Sequence, residues 1–270
     1  MLAMLLGLST DFEGADIFHR IGEAARAQSV SARPLPDRME FFARRLVGTP
    51  YVGWTLERDI RNETCFVTLE GLDCVTFAET VLALSRLDWA GSPSPDDLVA
   101  AVQKTRYRGG VVDGYLSRLH YTSDWFADNA RRGTWTDVTA SLPGARLDRR
   151  PVFFMSANAR LYRQLAADPT LIEPLKEHEA RITRLMRWYV PTEAAASAEK
   201  RLETGDIVGL VDRRDGMDYA HVGLIVRERG VPHFVHASST ARKVVFDVPL
   251  SQYLARSRGT IGFSVVRPNP

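Results

Sequence analysis

With 270 residues, 45% of them hydrophobic and 25% charged, the chain has the make-up of a folded globular protein with one sizeable domain or two small ones, which excludes a disordered or fibrous chain. Its net charge of +2, with basic and acidic residues interspersed, leaves no polybasic patch for nucleic acid or for an anionic membrane surface. Two cysteines, Cys65 and Cys74, make neither a disulfide scaffold nor a Cys-x-x-Cys metal pattern.

Met1–Leu8 is apolar but far short of the ~20 residues that span a bilayer. It lacks a basic n-region and a small-x-small cleavage site ahead of Asp11, and reads as an N-terminal arm or a trimmed signal remnant. Residues 16–28 have a helical pattern, and 28–36 form a polar, proline-bearing connector. Asp37-Arg-Met-Glu40 has the spacing of a capping box, opening a helix with Phe41, Phe42, Leu46 and Val47 that closes at Gly48. Gly48–Trp54 is a turn-rich stretch with two aromatics, Tyr51 and Trp54, either beside a site or packed on the core.

In Leu69–Ser85 a loop containing Gly71 leads into an apolar-periodic helix, with Asp73 as the expected N-cap and Cys74 in the first turn. Unpaired backbone N–H groups and the positive end of the helix dipole favour a thiolate there, which takes a thiol from a pKa near ~8.5 towards neutral. The other reading is a buried structural cysteine, since free Cys behaves as a small hydrophobe. A suitable base elsewhere in the chain decides between them.

After Gly91-Ser-Pro-Ser-Pro95, Asp96 is expected to cap a short helix running to Lys104. Residues 106–126 then gather Arg106, Arg108 and Arg118 with Tyr107, Tyr115, His120, Tyr121 and Trp125. Arginine forks and aromatic faces suit a polar ligand such as a sugar or a carboxylate, while the alternative is a surface excursion anchored by aromatics. Residues 157–188 read as two helices divided at Asp168-Pro169, with another from Pro191 to Arg201. From 206 onward, five β-branched stretches (206–211, 220–226, 231–237, 244–248 and 261–266) read as strands. Helices followed by antiparallel strands give an α+β fold. The expected organisation is an arm and short helix over 1–36 and one domain over 37–270, with a helical insertion at about 126–204.

A hairpin turn centred between Glu228 and Arg229 sets His221 opposite His236 on one sheet face, with Cβ atoms roughly 4.5–5.5 Å apart. His221 then meets the thiol and His236 orients the imidazole, the order nucleophile, base, orienter. A zinc site built from His221, His236 and either His120 or Asp218 competes, though no His-Glu-x-x-His spacing supports it. A cysteine nucleophile needs only one base, one orienter and an oxyanion donor, and the helix N-terminus supplies the donor.

Gly-Leu-Asp-Cys-Val-Thr-Phe, followed by Gly-Asp-Ile, Ala-His-Val-Gly-Leu-Ile and His-Ala-Ser-Ser, resembles the NlpC-type, papain-like cysteine amidases of the cell wall. Gly48-Thr-Pro-Tyr-Val, Leu72-Asp-Cys-Val-Thr-Phe, Ser117-Arg-Leu-His-Tyr with Asp124-Trp125, and His236-Ala-Ser-Ser look like its N-acetylmuramoyl-L-alanine amidase-like branch, over roughly residues 37–267. The resemblance implies a papain-like core with Cys74 as nucleophile, His221 as base and His236 as third polar residue. It also implies a substrate groove lined by Tyr51, Asp73, Arg118, His120, Tyr121, Trp125 and Ser238. The implied substrates are peptidoglycan fragments, disaccharide-peptides, in or near the bacterial cell envelope. No cofactor or metal, no nucleic-acid partner and no stable membrane insertion is expected. Asp-Cys-Val-Thr in place of the superfamily's common Asp-Cys-Ser favours the muramoyl–L-alanine bond. A γ-D-glutamyl–diamino acid endopeptidase, a zinc amidase and a non-catalytic muropeptide-binding module are the rivals.

Overall fold

A computed structural model describes residues 11–270, so the reading of Met1–Leu8 falls outside the described residues. The helices are α1 (Ala15–Ala27), α2 (Leu35–Leu46), α3 (Cys74–Arg86), α4 (Pro95–Arg106), α5 (Thr122–Arg131), α6 (Phe154–Ala157), α7 (Arg163–Ala167), α8 (Ile172–Thr183), α9 (Ala195–Ala198) and α10 (Leu250–Arg256). The strands are β1 (Phe12–Glu13), β2 (Val67–Thr68), β3 (Trp135–Asp137), β4 (Arg146–Asp148), β5 (Arg187–Pro191), β6 (Ile207–Asp212), β7 (Tyr219–Glu228), β8 (Val231–Ser238), β9 (Lys243–Pro249) and β10 (Thr260–Pro268).

The main sheet runs β4-β5-β10-β6-β7-β8-β9, with β3 also on β10, and its pairs are antiparallel. This is the expected α+β arrangement, helices with an antiparallel sheet. Both faces of the sheet are covered. Ile207, Leu224, Val226 and Val235 join the core of α1–α4, while Val208, Leu210, Ile225 and Phe234 pack with Leu250 and Leu254 of α10. Double coverage explains why these strands read as nearly continuous apolar runs. Phe18 and Ile21 of α1 lie in the same core as α3, so the first helix is built into the body of the fold.

The centre of the helical layer is α3, where every residue from Thr76 to Ser85 is buried. Glu79 is among them, and its carboxylate is matched by Arg106 of α4 at 2.8 Å. Three expectations about elements need correction. The second helix starts at Leu35 after Pro34, with Pro36 in its first turn and no side-chain cap, so Asp37-Arg-Met-Glu40 lies inside it. Ser94 rather than Asp96 caps α4, its hydroxyl accepting from the Asp97 N–H. The stretch between 126 and 204 is not wholly helical: β3, β4 and β5 belong to it, and the β-prone Arg-Trp-Tyr-Val-Pro of β5 pairs with both β4 and β10.

Candidate active site

Asp73 caps α3 as its sequence dictates. One carboxylate oxygen accepts from the Val75 and Thr76 N–H groups at 3.0 and 2.8 Å, and the Thr76 hydroxyl accepts from the Asp73 N–H at 2.9 Å. This box fixes the first turn, and with it the position of Cys74. The residue is part-exposed, but its sulfur is enclosed. Burial pushes the thiol up to about 12, and the Asp73 carboxylate pushes the same way. The N–H groups of Val222, Val75 and Cys74 itself oppose them without prevailing. The expected lowering of the thiol by the helix terminus is therefore outweighed by desolvation, and the resting group is a neutral thiol.

Strands β7 and β8 supply the histidines. The ladder pairs Leu224 with Val235 and Glu228 with Val231, so the turn consists of Arg229 and Gly230 alone. Both have positive φ, 50° and 83°, the mark of a type I′ turn. The turn is thus centred one residue later than expected, and His221 and His236 sit diagonally rather than directly opposite. A displacement by two residues preserves side-chain parity, so both still lie on one face. His221 Nε2 meets His236 Nδ1 at 2.7 Å, and His236 Nε2 reaches Asp247 Oδ2 on β9 at 3.3 Å. Phe234 stacks on the His236 ring at 4.7 Å, and Gly223 makes room for it, since a Cβ there would lie 2.4 Å from the Phe234 ring. Tyr253 of α10 packs edge-on to His236 at 5.1 Å.

These contacts order the protons. A carboxylate only accepts, so His236 carries hydrogen on Nε2 and offers the Nδ1 lone pair to a His221 Nε2–H. His221 Nδ1 is left as the ring nitrogen with a free lone pair. Burial, and secondly His236, push the His221 imidazole down to about 3; burial also lowers His236, with Asp247 opposing. At neutral pH the site holds a thiol and neutral imidazoles.

Cys74 and His221 line one cavity of about 190 Å³, together with Trp54, Glu57, His120, Tyr121 and Tyr162. His221 also borders a second cavity of about 500 Å³, shared with His236, Ser238, Arg213, Arg214 and Tyr253. His221 therefore stands between the two cavities, and His236 faces the second alone. A depression of about 620 Å³ between α3 and α4 contains neither Cys74 nor a histidine.

The residues expected to line a groove divide. His120 and Tyr121 border the thiol cavity, and Ser238 borders the second. His120 Nε2 is turned to the Tyr115 carbonyl at 2.8 Å, and burial drives its pKa well below the ordinary value. The Tyr121 hydroxyl donates to Glu179 at 2.7 Å. Tyr51 lies close enough to Cys74 and Asp73 for their charges, after burial, to raise its phenol. Arg118 and Trp125 are placed differently. Arg118 is buried and grips Glu57 at 2.6 Å and Glu63 at 3.2 Å. Trp125 is buried against Phe126 and Trp135 in the core. The groove roles that the resemblance implies for Arg118 and Trp125 meet two buried side chains here. Composition alone leaves that alternative open, because it cannot separate an arginine that binds from one that pairs inside. For the zinc reading, His221 and His236 spend ring nitrogens on each other and His120 one on a carbonyl; among the described residues no three His, Cys, Asp or Glu side chains converge on a metal position. Asp247, Tyr253 and Glu57 were missed. Only Asp247 left a signal, a carboxylate inside the β-branched run Val-Val-Phe-Asp-Val.

The comparisons bear on this geometry. The model of the AmiA-like, N-acetylmuramoyl-L-alanine amidase-like family matches residues 41–261. An N-acetylmuramoyl-L-alanine amidase from Bacteroides uniformis is 32% identical, with a TM-score of 0.77 over 87% of this chain and 99% of that one. A Bacteroides fragilis protein provisionally named a xylanase is 31% identical, with a TM-score of 0.73 over 83% of this chain and 98% of that one. A Legionella pneumophila protein, 24% identical with a TM-score of 0.68, shares the fold over 95% of this chain and 97% of its own. No curated protein sequence matches the chain. With most of its length covered by the family's model and a 32% identical solved amidase overlying it nearly end to end, the chain belongs to the N-acetylmuramoyl-L-alanine amidase-like family.

Proposed function

We propose that the protein is a peptidoglycan hydrolase, a papain-like cysteine amidase that cuts the amide between the N-acetylmuramoyl lactyl group and L-alanine in disaccharide-peptides. The observation that carries the reading is the series Cys74, His221, His236, Asp247: a thiol at a capped helix N-terminus sharing a cavity with an imidazole whose tautomer is set by two further groups. A buried thiol at about 12 is a weak nucleophile until a base takes its proton. In this mechanism His221 Nδ1 takes that proton as Sγ adds to the lactyl carbonyl. His221 Nε2–H leans on His236, and Asp247 steadies the imidazolium that forms. The Cys74 N–H donates to the developing oxyanion, because the next two N–H groups of the helix are taken by Asp73. His221 returns the proton to the leaving L-alanine nitrogen, and a water repeats the sequence on the thioester.

The substrate places this work in the bacterial cell envelope or on fragments released from it; no helix among the described residues is long and apolar enough to cross a membrane. The test compares a disaccharide-tetrapeptide with the free tetrapeptide by mass spectrometry of products. Release of the intact stem peptide from the first and no cleavage of the second is the expected result. Cleavage of the free peptide after D-glutamate assigns the activity to a γ-D-glutamyl–diamino acid endopeptidase instead.

A further inference from the structure

Among the large aromatic side chains of the thiol cavity, Trp54 is the exposed one. It is 67% exposed, whereas Trp89, Trp125 and Trp135 are almost completely buried. Its backbone has φ 65°, a left-handed conformation that a bulky residue rarely adopts. The chain therefore holds an indole face in water, at some conformational cost, beside the proposed nucleophile. The turn that carries it is braced from below. Glu57 N–H donates to the Trp54 carbonyl at 3.1 Å, Arg118 reaches the Leu56 carbonyl at 3.2 Å, and Arg163 reaches the Glu57 carbonyl at 3.1 Å. Glu57 borders the same cavity and is only 8% exposed. Arg118 fixes its Oε1 at 2.6 Å, and its Oε2 has no protein partner. A buried carboxylate oxygen without a donor calls for one, and here a bound molecule can bring it.

An aromatic face beside an acceptor suits a ligand with an apolar side and donors around its rim. A hydrocarbon would leave Glu57 Oε2 unsatisfied, and a compact ammonium, although drawn to both the indole face and the carboxylate, covers only part of the ring. A peptide-free disaccharide carries no amine and so separates the two. A pyranose answers both, its C–H face lying on the ring and its hydroxyl or acetamido N–H groups pointing outward. We infer that Trp54 and Glu57 form a saccharide subsite at the mouth of the Cys74 cavity, the sugar ring lying on the indole and donating to the Glu57 carboxylate. This deepens the amidase reading and rests on it for the identity of the sugar, an N-acetylated amino sugar of the disaccharide-peptide. The subsite does the work that the sequence reading gave to Arg118 and Trp125, with Arg118 acting from beneath by fixing Glu57.

The experiment titrates the full chain carrying Cys74→Ala with the N-acetylglucosaminyl–N-acetylmuramic acid disaccharide free of peptide, following tryptophan fluorescence and calorimetric heat. Saturable binding with a change in indole emission is expected. Adding Trp54→Ala should weaken it about tenfold or abolish it, and Trp54→Phe should restore part of it. Equal affinity with and without the Trp54 ring overturns the subsite. Glu57→Gln should weaken binding and lower Tm, though Arg118 keeps Glu63 as a partner; if the loss of the Arg118 pair unfolds that variant, the Trp54 series decides alone. With Cys74 intact, Trp54→Ala should lower kcat/KM on the disaccharide-tetrapeptide while the same bond is cut. Unaltered turnover there overturns the subsite and leaves the amidase reading standing. Disaccharide binding that depends on Trp54, in a protein that releases no stem peptide, supports the subsite and overturns the amidase reading.

Discussion

The two sides of the thiol cavity are built on different principles. On the helical side, Cys74 is held by contacts within three residues, the Asp73–Thr76 box, and by a helix anchored through the buried Glu79–Arg106 pair. On the sheet side, His221, His236 and Asp247 come from three strands and meet only because the hairpin turn and the β8–β9 ladder place them so. A locally specified group keeps its position when distant parts shift, whereas one set by register depends on every pair in the ladder. The two sides should therefore fail differently: the helical side through stability or outright loss of the proposed nucleophile, the sheet side through graded loss of rate.

The largest effect falls at Cys74, the proposed nucleophile. Cys74→Ala should lower kcat by about 10⁴-fold or more with the fold intact, and Cys65→Ala, on a thiol buried beside Arg106, should still turn over. A dead Cys65 variant with an active Cys74 variant reverses the assignment. Next, His221→Ala should cost roughly 10²–10⁴-fold in kcat. His236→Ala should cost less, and Asp247→Asn less again, because Asp247 reaches His221 only through His236. If all three sheet-side variants match wild type, the relay has no part in turnover and the contrast collapses. On the helical side, Arg106→Met leaves Glu79 buried without its partner and should cost about 3–5 kcal/mol in urea unfolding; a loss under 1 kcal/mol would show that α3 does not depend on the pair.

Smaller effects follow from pH. Since the Cys74 thiol is pushed up to about 12, iodoacetamide labelling of the free protein should be slow at pH 7 and climb about tenfold per pH unit past 9. A plateau below pH 8 would mean that a thiolate–imidazolium pair is the resting state after all. His221 and His178 have folded values of about 3 and about 4, below the ordinary 6.5. The folded protein then binds fewer protons than the unfolded chain between these values. Their contribution to stability is full above about pH 6.5 and is lost as pH falls towards 4 and 3. The buried Glu63, Glu79, Asp206 and Asp218 carboxylates, pushed up by burial, act in the opposite sense, so the check compares wild type with His178→Gln. The wild-type urea midpoint should fall further between pH 7 and pH 5, and an equal fall would contradict the lowered His178 imidazole.

The same contrast governs what the sequence disclosed. The Asp73 cap and the start of α3 were legible because capping is written in consecutive residues. The strands from β6 onward were legible through β-branched composition, and β5 was missed because five residues beside a helical pattern carry little periodic signal. The histidine face was legible only in its parity. An arginine at positive φ is not a usual turn residue, so Arg229-Gly230 did not announce a two-residue turn. Asp247 is linked to His236 through a β8–β9 ladder that contains a register shift, which no pattern in one strand reveals. Desolvation of Cys74 was equally hidden, since it depends on what the rest of the fold stacks over the sulfur.

The place of β10 in the sheet has a consequence for how the chain reaches this state. Residues 260–268 pair with β3, β5 and β6, strands drawn from positions 135 to 212. Until β10 inserts, β5 and β6 present bare backbone edges to one another, and the loops that must close to bring these segments together are long. Insertion of β10 is therefore expected to be a late, distance-limited event, while the consecutive hairpins β6 to β9 and the capped α3 close over shorter stretches. Refolding from denaturant should give yields that fall with protein concentration, as open strand edges capture those of other molecules before β10 arrives.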